Sequence, residues 1–151
     1  MTDDDWDRVL TVNLRGAFVG CREAARRMTA AGTGGVIVNV PSVAGLRGRS
    51  AGVSHDVASK HGVTGLTSQL AVELAPHAIR VLAVAPTTII TPGVMEAMGG
   101  SDADLETALS RPLGRAARPD DVARVALFCA SDLSLFMTGT TLVVDAGELA
   151  R

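Results

Sequence analysis

Two short apolar runs rich in β-branched residues, Val36-Ile37-Val38-Asn39-Val40 and Ile79 to Ala85, constrain the fold of this chain more than any other feature. Runs of strand length that stay apolar, instead of alternating with polar residues, suit strands covered on both faces, as in a parallel sheet. A helical pattern stands between them. It spans about Asp56 to Ala75, with Val63, Leu66, Leu70 and Leu74 on one side, and Pro76 stops it. A third run, Thr140 to Val144, follows a helix opened by Pro119 with Asp120 and Asp121 and continuing through Ala130, in keeping with proline's place in a first turn. Strand, helix, strand, helix, strand at this spacing predicts an α/β fold: a short parallel sheet of about three strands, flanked by helices and joined by right-handed crossovers.

The remaining segments fit around that frame. Thr2 is placed to cap a helix whose first turn carries Asp3, Asp4 and Asp5 against the positive end of the helix dipole. Apolar and small residues recur at helical spacing from Trp6 to Met28, so one long helix is expected there. The turn Gly32-Thr33-Gly34-Gly35 leads into the first strand. A loop rich in Gly and Arg, Gly45 to Gly52, leaves it; Pro86 to about Ser101 reads as irregular and Asp102 to Leu109 as a short helix. With 151 residues, 47% of them hydrophobic and 20% charged, a single domain over 1–151 has enough apolar material for a core. A formal net charge of -2 supplies no basic field, so no nucleic-acid role is expected. Cys21 and Cys129 fall in apolar helical segments without metal-ligand spacing and read as reduced core thiols, so no metal is expected. The acidic start is the opposite of a secretory leader, and no run approaches the roughly 18 apolar residues of a membrane span; a cytoplasmic protein with no membrane role is the expectation.

Six stretches, in order along the chain, resemble the C-terminal half of a classical short-chain dehydrogenase/reductase. They are Val12-Asn13-Leu14-Arg15-Gly16, Ile37-Val38-Asn39-Val40-Pro41-Ser42, the helix around Lys60, Pro86-Thr87-Thr88-Ile89-Ile90-Thr91-Pro92, and the pair Arg118 to Ala123 and Thr138 to Asp145. The resemblance implies a truncated Rossmann-like fold. It also implies a catalytic set in which Ser42 orients a substrate carbonyl, Lys60 holds the cofactor ribose and Asn13 supports a water relay. Thr87, Ile89, Thr91, Met95 and Met98 would line the substrate side. Two helices matching 4–28 and 56–75 would build a homo-oligomer interface, with the unpaired edge of the first strand as a further reason to associate.

The departures are as specific as the matches. The family transfers a proton from a tyrosine four residues before its lysine; here that position holds Asp56, and the chain contains no Tyr. An Asp four residues before an ammonium keeps its charged form and makes a poor proton donor, so Asp56 reads first as a helix N-cap paired with Lys60. His55 is the other candidate acid or base, since an imidazole titrates near neutral pH. No glycine-rich turn follows a first strand into a helix, so no dinucleotide cradle and no cofactor is expected. Arg47 and Arg49 in the Gly45–Gly52 loop leave a phosphate-holding role open. These departures favour an enzyme without redox chemistry, performing cyclisation, isomerisation or elimination on a small apolar secondary metabolite with Ser42, His55, Asp56, Lys60 and Asn13 as its catalytic groups. Two alternatives stay open: an NAD(P)-dependent oxidoreductase fragment completed by a partner chain, and a non-catalytic binding subunit.

Overall fold

The computed structural model describes residues 1–150. Helix α1, Asp3–Leu10, starts as expected: the Thr2 hydroxyl accepts from the Asp5 N–H, and the Asp5 carboxylate accepts in return from the Thr2 backbone N–H at 3.0 Å. The helix does not run unbroken to Met28. Thr11–Arg15 widens into a π-helical turn centred on Asn13, and α2 resumes at Gly16–Ala31. A π turn inserts one residue into the helical register and rotates the side chains beyond it, a device common at functional positions. Strand β1, Gly35–Asn39, is followed by a single turn at Val43–Gly45, and α3 spans Ser54–Leu74, two residues longer at its start than the apolar spacing shows.

Strand β2, Ile79–Pro86, lies at the centre of a three-stranded parallel sheet of order β1-β2-β3, with β3 at Thr141–Val144. Val38 sits opposite Leu82 and Ala85 opposite Val143. The expected α/β architecture is therefore present, and the reason is visible in β2: Val81 through Ala85 have no exposed surface at all. One face of the sheet packs Ile37, Ile79 and Val81 against Cys21 and Ala25 of α2 and Ala71 of α3. The other packs Leu82 and Val84 against Cys129 of a helix at Pro119–Ala130. Burial raises the pKa of both cysteine thiols, so Cys21 and Cys129 stay protonated core residues.

Between β2 and that helix the segment expected to be irregular contains a helix, α4, at Pro92–Met98; α5 follows at Asp102–Ala108, which makes Pro119–Ala130 helix α6. The α4 start is encoded by Thr91, whose hydroxyl accepts from the Val94 N–H at 3.3 Å, and by Pro92 in the first turn. Ile90, Leu105, Leu109 and Ala116 form a separate apolar cluster under this excursion. The outer edge of β1 has no strand partner among the described residues. No helix among them is long and apolar enough to cross a membrane.

Candidate active site at the C-terminal edge of the sheet

Ser42 lies three residues beyond β1, where ligands of open parallel sheets bind. Its hydroxyl accepts from the Ala44 N–H at 3.1 Å and donates to the carbonyl of Pro86, the last residue of β2, at 3.4 Å. One turn further the loop lies directly on α3. A Cβ built on Gly45 would stand 2.7 Å from the Lys60 carbonyl oxygen and 2.8 Å from Thr64 Oγ1, so only glycine lets the Ser42 loop approach the helix that carries Lys60.

Asn13, brought inward by the π turn, donates through Nδ2 to Ser59 Oγ at 3.0 Å and to Asp56 Oδ1 at 3.4 Å. The fully buried Ser59 hydroxyl in turn donates to the Asp56 carbonyl at 2.7 Å. Leu14 packs beside them against Gly62, where an added Cβ would stand 2.8 Å from it. The small residue at Gly62 thus receives this chain's own π turn, and the amide of Asn13 clamps the start of α3.

Asp56 differs from its expected role. The N-cap position is Val53, without a side-chain cap, and Asp56 sits in the first turn. Its carboxylate faces Asn13 instead of Lys60; among the described residues no ion pair includes either Asp56 or Lys60. The long-range amide reaches the carboxylate where the local i, i+4 partner does not. The half-buried His55 accepts at Nδ1 from the Asp56 N–H, 2.8 Å, so the proton of its neutral ring lies on Nε2.

The positions expected on the substrate side have the following surroundings. Thr87 is buried, and its hydroxyl is engaged with Glu148. Ile89 pairs by a bridge with Ala117, Thr91 caps α4, and Met95 packs on the apolar cluster of the excursion, while Met98 is 54% exposed. The phosphate role left open for the Gly45–Gly52 loop is not realised at Arg47, whose Nη2 lies 2.5 Å from Glu148 Oε1. Arg49 reaches Thr88 Oγ1 at 3.5 Å.

Glu148 itself, absent from the sequence expectations, is the most connected group at this edge. It sits in a final turn at Glu148–Ala150 and accepts from Thr87, from Arg111 Nε at 2.8 Å and from Arg47. Burial pushes its carboxyl pKa up, but the hydrogen bonds from Thr87 and Arg111 outweigh this, so the group lies below the ordinary glutamate value and is ionised. No periodic or motif signal marks it, because its partners stand 37, 61 and 101 residues away.

A parallel sheet with a serine and a lysine-bearing helix at its carboxyl edge defines an α/β protein of the Rossmann type. Residues 1–148 match the family model described as enoyl-(acyl carrier protein) reductase. The chain is 44% identical over 147 residues to the 3-oxoacyl-(acyl-carrier-protein) reductase FabG of Chlamydia pneumoniae, covering 97% of this chain and 58% of that protein. It is 40% identical over 147 residues to the (3R)-3-hydroxyacyl-CoA dehydrogenase of Rattus norvegicus, covering 97% and 56%. A short-chain type dehydrogenase/reductase from Mycobacterium marinum superposes with a TM-score of 0.90 at 36% identity, over 100% of this chain and 59% of that one. The chain belongs to the short-chain dehydrogenase/reductase family and spans somewhat over half the length of these relatives. The expectation of an enzyme without redox chemistry is overturned: the relatives that match nearly the whole chain are named reductases and dehydrogenases. The missing phenol is a single departure in a chain whose residues 1–148 match the family model.

Proposed function

We propose that this chain forms the substrate-facing part of an NAD(P)-dependent oxidoreductase that interconverts an apolar carbonyl compound and its secondary alcohol. The observation that carries the reading is the presence of Ser42 and Lys60 on either side of the Gly45 contact, in a chain whose relatives are named for this chemistry. In this reading the Ser42 hydroxyl orients the substrate carbonyl, and Asn13 fixes the first turn of α3 through Asp56 and Ser59. His55 is assigned the proton transfer in place of a phenol: it donates as the imidazolium, which takes a proton from solvent at Nδ1 on releasing the Asp56 N–H and returns to the neutral ring when Nε2 gives its proton to the carbonyl oxygen.

NAD(P), when bound, supplies the hydride. The residues present fit one end of it: the Lys60 ammonium, with no ion-pair partner among the described residues, is free to hold the ribose hydroxyls. They do not fit the pyrophosphate, for which a glycine-rich turn from a strand into a helix N-terminus is needed. Chain outside 1–151, in the same polypeptide or a partner, therefore supplies that cradle in this reading, and the open edge of β1 is where it joins. Exposed apolar side chains, Val12 in the π turn, Phe18 on α2 and Val72 on α3, support association of 4–28 and 56–75 with a second copy.

The test is calorimetric titration of NADH and NADPH into the protein mixed with the part of the Chlamydia pneumoniae relative that lies outside the match, with and without a 3-oxoacyl thioester. Saturable binding that Lys60→Ala weakens by about tenfold is expected. Dinucleotide binding indifferent to Lys60→Ala, with no reduction of the thioester, overturns the reading.

A further inference from the structure

The loop that leaves Ser42 is held at two points. At Gly45 it rests on the Lys60 carbonyl, and at Arg47 it is held by Glu148, 2.5 Å from guanidinium to carboxylate. The same carboxylate accepts from the Thr87 hydroxyl, and Thr87 directly follows Pro86, whose carbonyl receives the Ser42 hydroxyl. Arg111 closes the arrangement, with Nε on Glu148 Oε2 and Nη1 on the Leu109 carbonyl at 2.8 Å. The side chains of Glu148 and Arg111 are 10% and 11% exposed. One carboxylate thus contacts both the loop that presents Ser42 and the strand end that accepts its hydrogen bond. Stability alone gives a weak account of it, because buried ion pairs are often replaceable by apolar groups at little cost.

We propose that Glu148 is a positioning residue for Ser42, fixing the serine hydroxyl by holding Arg47 on one side and Thr87 on the other. The proposal rests on the oxidoreductase reading for what Ser42 does, and on the contacts just described for what Glu148 holds. Removal of the charge releases the loop from Val43 to Val53 while leaving the sheet and α3 in place.

The experiment is amide hydrogen exchange on the protein and on Glu148→Gln, Glu148→Asp and Arg47→Gln, with turnover of a 3-oxoacyl thioester measured on the reconstituted assembly. Exchange in 43–53 is expected to rise about tenfold in Glu148→Gln and Arg47→Gln, with β2 and α3 unchanged, and to recover in part in Glu148→Asp. Turnover is expected to show kcat down about tenfold with KM within about twofold, again partly restored by Glu148→Asp. Unchanged exchange in 43–53, or a rise spread evenly over β2 and α3, overturns the proposal. Should Glu148→Gln fail to fold, Arg47→Gln removes the same loop contact and decides between these results. A wild-type assembly without turnover counts against the oxidoreductase reading, and the exchange measurements still decide the role of Glu148.

Discussion

Asp56 and His55 are the residues at which this chain leaves its family. The Asp56 carboxylate is occupied by Asn13, and the reading assigns proton delivery to the neighbouring imidazole. Positioned general acids contribute roughly 10²–10⁴ in rate; His55→Ala is therefore expected to lower turnover by about 10², and Asp56→Tyr, restoring a phenol four residues before Lys60, to raise it by a comparable factor. Steady-state kinetics on the reconstituted assembly checks both. Asn13, Ser42 and Lys60 could be picked out of the sequence as candidates because each lies inside a local motif. The partner of Asp56 was not, since the spacing offered Lys60 while Asn13, 43 residues away, takes the carboxylate. Glu148 was illegible for the same reason: three contacts made across the whole chain leave no local trace.

At the scale of elements, β2 could be read because full burial demands uninterrupted apolar sequence, and β2 has it. The π turn could not be read, since Trp6 to Met28 keeps an apolar pattern straight through it. Helix α4 was encoded in Thr91 and Pro92 yet hidden by the glycines around it. Between the sheet and its helices lies a buried polar link: Cys21 Sγ donates to Asn39 Oδ1 at 3.2 Å, and Asn39 Nδ2 donates to Thr67 Oγ1 at 3.0 Å. Thr67→Val would keep the shape and strand the Asn39 amide, and an unsatisfied buried donor costs about 1–3 kcal/mol. Urea denaturation is expected to show a lower midpoint with an unchanged slope. Glu148 adds a pH dependence. Its folded pKa lies below the unfolded value, so its contribution is complete above the ordinary glutamate range and is lost as pH falls through the folded value. The stability gap between the protein and Glu148→Gln should close on acidification, as read from urea midpoints across pH.

At the scale of the molecule, three parallel strands with open outer edges on β1 and β3, together with exposed Val12, Phe18 and Val72, form a surface that association would cover. Light scattering is expected to give a mass above the 15.5 kDa of one chain; a monomer at that mass contradicts the association through 4–28 and 56–75. The central claim is that this chain belongs to a catalyst of hydride exchange, and isotope transfer tests it most directly. With nicotinamide-ring-deuterated NADH or NADPH and a 3-oxoacyl thioester, the reconstituted assembly is predicted to deliver deuterium to the new alcohol carbon, as read by mass spectrometry of the product. A product that is rearranged and carries no label would contradict the account.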